Sequence, residues 1–479
     1  MDQPFLLAEA VVETAHETTR YFLPLGAVPD DEATPVLSKQ LALARIRRND
    51  QIRLLTDAFT IDSFAHRMLA LMRTRAVLPA ETGELRFLRT DAFDGLDIDA
   101  ALPVSRPSAE QSNSSLIIGD KAILKVLRRI AGGIHPEAEM GHYLTRRRYA
   151  NTPAMLGEVI RYGSDGVPYT LILLQRFIDN QGDGWNWVLS TLDRAIRNAA
   201  EIDAPTAIAQ ALTDPMEELL EFSGTLGKRL AEMHGVLALP TDEPDFSPQK
   251  VSTADARLWA REASEQLDRM LEVLKEKTDW RNEADEHLGK SLLSLGKRLR
   301  DAFMGLAAEA EGLLKIRIHG DFHLGQVLVT QGDVYIVDFE GEPARPLELR
   351  RAKHSPLRDV AGLLRSFDYA AAFARQSGPD DVGEAAEERK LRLLKDFESA
   401  ASSAFLAAYH RTMRAVHPEG AASASAEEKL LDLFCLQKAA YEVCYEAAER
   451  PAWIGVPMRG FLAIARRMLN ESGGPNDRN

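Results

Sequence analysis

Apolar and polar side chains alternate along "FLLAEAVVET" and "TRYFLPLGAV" near the N-terminus, and again along "ELRFLRTDAF" from residue 84. A period of two predicts half-buried strands. The intervening "SFAHRMLALMRTRA" repeats its apolar residues at three and four and predicts a helix. Residues 1–105 therefore read as a small mixed α/β domain. The Pro-, Ser- and Asn-bearing run "LPVSRPSAEQSNSS" follows as a linker. Beyond it, "LIIGD" and "KAILKVLRR" predict a hairpin, "HPEAEMGHYLTRRR" a short helix, and "AMLGEVIRYG" and "YTLILLQRFI" two more strands. These form a compact β-rich lobe over 106–180.

After residue 180 the period lengthens. In "DPMEELLEFSGTLGKRLAEMHGVLAL" the apolar positions Leu219, Phe222, Leu226, Leu230 and Met233 lie on one helical face. Asp214 is the expected N-cap of this helix and Pro215 its first residue. Helical patterns also fill 249–312, 356–375, 386–417 and 425–449, so residues 181–479 read as a mainly helical lobe. One strand pair, "VLV" and "VYIV" joined at "TQGD", is embedded in it. Trp185 and Trp187 are expected to pack or to serve as hinge residues. "EGAASASAEEK" is expected to be a loop and "ESGGPNDRN" a frayed tail. No internal repeat is present.

The 479 residues exceed one ordinary core, in agreement with this division. A formal net charge of -14, without a basic stripe, argues against a nucleic-acid partner. It also requires any pocket for an anion to be locally positive. The apolar runs are strand-sized, so no membrane partner is expected, and the N-terminus has no secretion pattern, so the expected location is cytoplasmic. Cys435 and Cys444 match no metal-ligand spacing and read as core residues.

Two short motifs carry chemistry, "IHGDFHLGQVLV" and "YIVDFEGEP". The hairpin between them returns the chain so that Asp321 and Asp338 approach one edge. Phosphoryl transfer needs a base or positioner for the acceptor hydroxyl, oxygen ligands for a metal at the nucleotide phosphates, and a lysine on those phosphates. Asp321 can accept a proton, with His323 beside it as a further candidate. Gln326 and Asp338 offer oxygens to Mg2+. His319 organises the loop. Lys125 stands in the hairpin strand after the polar "SNSS" run, whose hydroxyls and backbone amides can hold phosphate. In the following helix Glu139 is the preferred ion-pair partner for Lys125, with Glu137 the alternative.

"HGDFHLGQVL", "VDFEGEPARPLELRRAKHSPLRDVAGLLRSFDYAA" and "KAAYEVCYEAAERPAWIGVP" together resemble the bacterial maltokinases. The resemblance implies an α+β, bilobal protein-kinase-like fold of the aminoglycoside phosphotransferase type, with an N-terminal cap domain. It implies ATP and Mg2+ as cofactors and maltose as the acceptor, phosphorylated at its anomeric hydroxyl to feed α-glucan synthesis. Asp321 is then the catalytic base, supported by His319, and Gln326 and Asp338 are the metal ligands with Glu340 in support. Lys125 contacts the phosphates, Asn113, Ser114 and Ser115 form the phosphate loop, and Gln175 and Phe177 mark the adenine hinge. Ser355 and Pro356 open the next helix, whose Arg358 and Asp359 tie it to the catalytic loop.

Sugars are held by carboxylate or arginine hydrogen bonds and by aromatic faces. Tyr441, Glu442, Tyr445, Glu446, Arg450 and Trp453 are the candidates for this role. Gln326 stands where many kinases of this fold carry Asn, in agreement with maltokinases. The chain begins almost at the first strand, without the basic aromatic tract of the family, as a shortened product or the C-terminal part of a fusion to trehalose synthase would. Trehalose synthase is accordingly an expected partner. Two alternatives accompany the maltose reading: a glucosamine or other sugar kinase of the same fold, and a pseudokinase scaffold for a partner enzyme.

Overall fold

The computed structural model describes residues 4–15, 17–48, 51–96, 102–107, 114–200, 205–376, 383–417 and 424–469. The chain divides into two compact units, Met1–Asp179 with Arg345–Leu347, and Asn180–Ala344 with Glu348–Asn479.

The first unit holds two antiparallel sheets. In one, the strands Phe5–Glu13, Thr18–Pro29, Gln51–Asp57 and Ala42–Arg48 follow in that order, and Arg129–Ile130 adds to Thr18–Pro29. The other has seven strands, in the order Val77–Pro79, Glu84–Arg89, Met155–Tyr162, Pro168–Arg176, Ala122–Val126, Ser114–Ile118 and Val104–Ser105. Met155–Tyr162 is buried along almost its whole length, because it is paired on both edges and covered on both faces.

The packing does not follow the expected boundary at 105. Glu84–Arg89, from the expected cap, pairs residue by residue with Met155–Tyr162. Phe22, Phe64, Met68 and Phe87 share one core with Leu124, Val126, Leu156 and Ile172. Residues on either side of the linker thus belong to one folded unit, because neither side alone covers the apolar faces it presents.

The second unit is mainly helical. The helices Thr253–Glu276, Glu283–Ala308, Leu357–Gln376, Glu384–Val416 and Ala424–Glu449 lie close to the ranges the periodicity predicts. Gly184–Ala200 and Gly455–Met468 are additional helices. "EGAASASAEEK" is helical from Ala424 onward; its earlier residues and the "ESGGPNDRN" tail lie outside the described residues. Ser252 caps Thr253–Glu276 in a reciprocal capping box with Asp255, and Asn282 caps Glu283–Ala308.

The helix expected to start at Asp214 instead runs Pro205–Leu237, with Pro215 inside it. A proline there forfeits one backbone hydrogen bond, which helical patterning on both sides outweighs. The embedded hairpin is Val327–Thr330 against Asp333–Ile336, with Val327 opposite Ile336. Its turn passes through Gly332 at a φ of 75°, in the left-handed region that glycine enters without steric cost. Among the described residues no helix is long and apolar enough to cross a membrane.

Candidate active site

In the first unit, Lys125 lies in Ala122–Val126, where it pairs across the sheet with Leu173 and Ser115. Its ammonium meets Glu137, not the preferred Glu139, at 2.5 Å. Two residues along a helix is about 200° of rotation, so the two glutamates leave different faces. The Glu137 side chain is fully buried, and its Oε1 also accepts from Gln175 Nε2 at 3.0 Å. Burial pushes the Glu137 carboxyl up, yet Lys125 more than offsets this and holds it below the usual carboxylate value. Its Oε2 is buried without a hydrogen-bond partner among the described residues. An orphaned carboxylate oxygen beside a lysine fits a site completed by a polar ligand.

The other nucleotide candidates are redistributed. Ser114 and Ser115 begin the strand Ser114–Ile118 instead of forming a loop, and Asn113 lies outside the described residues. Ser114 Oγ accepts from Arg128 Nε at 2.9 Å. The two strands are joined by a tight turn in which Gly119 and Asp120 both have φ near 50°, as such a hairpin requires. The Gln175 side chain donates to Glu137, while the Phe177 amide donates to the Lys121 carbonyl at 2.9 Å.

In the second unit the loop from His319 to Gln326 is fixed from several directions. The Asp359 carboxylate accepts from the His319 amide at 2.8 Å, the Gly320 amide at 2.9 Å and His234 Nε2 at 3.0 Å. His234 Nδ1 lies 2.9 Å from the Tyr409 hydroxyl, so the buried ring is tied at both nitrogens. Burial raises the Asp359 carboxyl, but the His234 bond and charge and the backbone amides outweigh it, and its pKa is lowered.

Leu324 N–H donates to Ser366 Oγ at 3.1 Å. A Cβ at Gly362 would lie 2.4 Å from the Phe322 carbonyl oxygen. Asp359, Gly362 and Ser366 thus form one helical face that touches the loop backbone. Asp359 ties the helix to the loop as expected, whereas Arg358 reaches Glu342 at 3.4 Å. Ser355 Oγ accepts from the Leu357 amide at 3.3 Å and caps this helix.

His319 Nε2 lies 2.9 Å from the Val337 carbonyl, which can only accept, so that nitrogen carries the proton. The ring thereby ties the first motif to the residue before Asp338. At the base of the hairpin the Val337 amide donates to the Gln326 carbonyl at 3.0 Å, which makes Gln326 and Asp338 neighbours across the strand ends. Asp338 has a φ of 67°, a strained value for a residue with a Cβ. Carboxylate oxygens of Asp338 and Glu340 come within 4.8 Å of each other. Two carboxylates at this spacing, at the strand end that faces Gln326, fit a hard divalent cation.

Asp321 lines a cavity of about 660 Å3 that lies wholly within the second unit. Lys438 sits on this carboxylate, with Nζ 3.1 Å from Asp321 Oδ1 and 3.4 Å from Glu342 Oε1. Burial alone would raise the Asp321 carboxyl, but Lys438 and His323 overcome it and hold the pKa below the ordinary value. For His323 burial dominates and lowers its pKa against the attraction of Asp321. Its Nδ1 accepts from the Gly325 amide at 3.0 Å.

Tyr441, Glu442, Tyr445, Glu446 and Arg450 all line this cavity. Tyr441 and Tyr445 present exposed rings with centroids 6.4 Å apart and planes within 22°. Glu442 accepts from Arg365 at 2.8–2.9 Å, and burial lifts its carboxyl above the usual value even beside that cation. Glu446, fully buried, accepts from the Tyr369 hydroxyl at 3.1 Å and from Arg450. Trp453 is not among the lining residues; it stacks on Phe373 with centroids 5.7 Å apart. Phe373 in turn meets Trp185 edge-on at 6.0 Å, and Trp185, expected to be a packing residue, faces the cavity. Trp187 packs on Phe222 at 4.6 Å, as expected.

Lys438 and Asp183 line the cavity from outside the two motifs, and Glu342 lines it from within the second motif, where the sequence reading did not single it out. A signal for Lys438 exists: it is a lone cation in the apolar helical run "LLDLFCLQKAAY", three residues before Tyr441. Nothing in the local sequence marks Asp183.

A family model described as APH, phosphotransferase enzyme family, matches residues 103–375. A glucosamine kinase from Streptacidiphilus jiangxiensis is 26% identical over 402 residues, 83% of this chain and 80% of that protein. One from Mycolicibacterium smegmatis (strain ATCC 700084 / mc(2)155) is 25% identical over 361 residues, 74% and 78% of the two chains. A solved glucosamine kinase in complex with glucosamine, ADP and inorganic phosphate has the same fold, with a TM-score of 0.66 at 20% identity, covering 96% of this chain and 94% of that one. The expected kinase-like fold of mixed α and β structure is thus present. With the matched segment running from the Lys125 sheet through both motif aspartates to the bracing helix, this chain belongs to the phosphotransferase enzyme family.

Proposed function

We propose that the chain is an ATP-dependent sugar kinase that phosphorylates maltose at its anomeric hydroxyl. The observation that carries this reading is the cavity at Asp321, where a catalytic-type carboxylate opens onto aromatic faces from Trp185, Tyr369, Tyr441 and Tyr445. Its volume of about 660 Å3 lies in the usual range for small-molecule sites and accommodates two hexose rings. The three tracts resembling maltokinases contribute the Asp321 loop, the bracing helix and the Tyr441–Arg450 wall, all of which bear on this cavity.

In this reading Asp321 orients the acceptor hydroxyl and takes its proton as the oxygen–phosphorus bond forms and ADP leaves. Lys438 keeps that carboxylate ionised, and His319 holds the loop through Val337 without a role in proton transfer. Gln326 and Asp338 would hold Mg2+, supported by Glu340; when bound, the ion neutralises phosphate charge. Lys125, oriented by Glu137, contacts the phosphates.

A second reading, a glucosamine kinase, is favoured by the two relatives and by Asp183. This lining carboxylate hydrogen-bonds to Asn186 and has no cationic partner among the described residues, so it is open to an ammonium group. Sugar-dependent ADP release with maltose, glucose, glucosamine and no sugar tests both. The expected outcome is turnover with maltose and a phosphorylated, non-reducing product. Turnover with glucosamine alone, abolished by Asp183→Asn, would replace maltose by the aminosugar.

A further inference from the structure

Five carboxylates line the cavity, yet four are already matched within the protein: Glu442 by Arg365, Glu446 by Arg450, and Asp321 and Glu342 by Lys438. Glu342 has a second cation in Arg358 at 3.4 Å. Lys438 is therefore built into the floor of the cavity beside the group that must meet the reacting hydroxyl. Its ammonium also lies 5.4 Å from the Tyr441 ring centroid, a further interaction that favours the cation there. Burial would push Lys438 toward its neutral form, but Asp321, Glu342 and Glu442 more than compensate and raise its pKa.

We propose that Lys438 is a specificity-determining residue that selects against an acceptor carrying a positive charge next to the reacting hydroxyl. The inference rests on the sugar-kinase reading and deepens it. An aminosugar bound with its reactive end at Asp321 brings an ammonium toward a carboxylate pair that Lys438 already occupies. It would have to displace the lysine or remain close to it as a like charge, whereas a neutral hydroxyl can donate to Asp321 and leave the ion pairs intact. Discrimination of this kind comes from the repulsive contact as much as from the attractive ones.

The test compares glucose with glucosamine, which differ by one substituent, below about pH 7 where the amine is charged. Dissociation constants are measured by calorimetry for the wild type, Lys438→Gln and Lys438→Arg, in parallel with maltose-dependent ADP release. The wild type is expected to bind glucose more tightly than glucosamine. Lys438→Gln should shift the ratio toward glucosamine by at least tenfold, and Lys438→Arg, which keeps the charge, should leave it near the wild-type value.

A wild type that prefers glucosamine overturns the inference before any variant is made, so a Gln variant that fails to fold does not shelter it. An unchanged ratio in folded Lys438→Gln also overturns it. Failure of the maltose reading is a separate result: absent maltose-dependent ADP release with the glucose-to-glucosamine ratio still governed by residue 438.

Discussion

The His319–Gln326 loop and the wall of the cavity at Asp321 lie in the same unit but are specified in different ways. The His319–Gln326 loop takes its shape from short-range chemistry: Gly320 at a φ of 87°, His323 capping the turn at Leu324, and His319 bonded to the residue before Asp338. The wall is assembled from distant segments. Lys438 meets Asp321 across 117 residues of sequence, and Arg365 meets Glu442 across 77. A motif can encode the first arrangement, whereas the second depends on how Leu357–Gln376 and Ala424–Glu449 pack. Substitutions in the loop should therefore cost turnover or folding, and substitutions in the wall should alter affinity and selectivity.

The largest expected effect is that of Asp321→Asn, which keeps the shape and removes the proposed base. Turnover should fall by roughly a hundred- to ten-thousand-fold, with nucleotide affinity within a few-fold of wild type by titration. Full activity in this variant would remove Asp321 from the chemistry.

Asp359→Asn tests whether the loop is held by one carboxylate. Loss of charge-assisted bonds to two amides and His234 should cost on the order of 3 kcal/mol, read from denaturant unfolding. The sign of its pH dependence follows from the lowered pKa. The unfolded carboxyl titrates near 3.8, and the folded one lies lower, so its contribution is present above 3.8 and is lost as pH falls through the depressed value. Acid unfolding should be shallower in the variant; an identical profile would show that Asp359 does not carry this linkage.

Gly362→Ala sharpens the same comparison without altering charge. The new methyl meets the Phe322 carbonyl oxygen at 2.4 Å, and the loop or the helix must shift. A loss of about 1–3 kcal/mol is expected, together with reduced turnover. An unaffected melting temperature would mean that the loop tolerates displacement.

The smallest effect is expected in the wall. Tyr445→Ala removes one exposed aromatic face and should raise KM for the sugar several-fold, by about 1 kcal/mol, with kcat nearly unchanged. An equal fall in kcat would place Tyr445 nearer to the reacting atoms than its exposed ring indicates.

Much of the architecture was legible because alternation and helical period are local properties. The strands Phe5–Glu13, Thr18–Pro29, Glu84–Arg89 and Met155–Tyr162 and the helices from Leu357 to Glu449 follow patterns that each segment carries in itself, whereas Ala42–Arg48 and Gln51–Asp57 were not anticipated. Pro215 misled because a single breaker is a local signal that a long helix can absorb. The split between cap and lobe misled because a linker-like composition does not report that Glu84–Arg89 adds to Met155–Tyr162. For the proposed site, Asp321, Gln326, Asp338 and Lys125 were singled out by residue type and spacing. The choice of Glu137 over Glu139 was not, since it depends on which helical face meets the sheet.

The sequence by itself determined the periodic elements, the two acidic motifs and the hairpin that joins them, because each depends on neighbours within a few residues. Tertiary structure alone decided that Lys438 occupies Asp321 and Glu342, that Trp185 and not Trp453 faces the cavity, and that Asp183 lines it without a cation among the described residues. Charge compensation acts over a few ångströms of space, and the residues that supply it here are far apart along the chain.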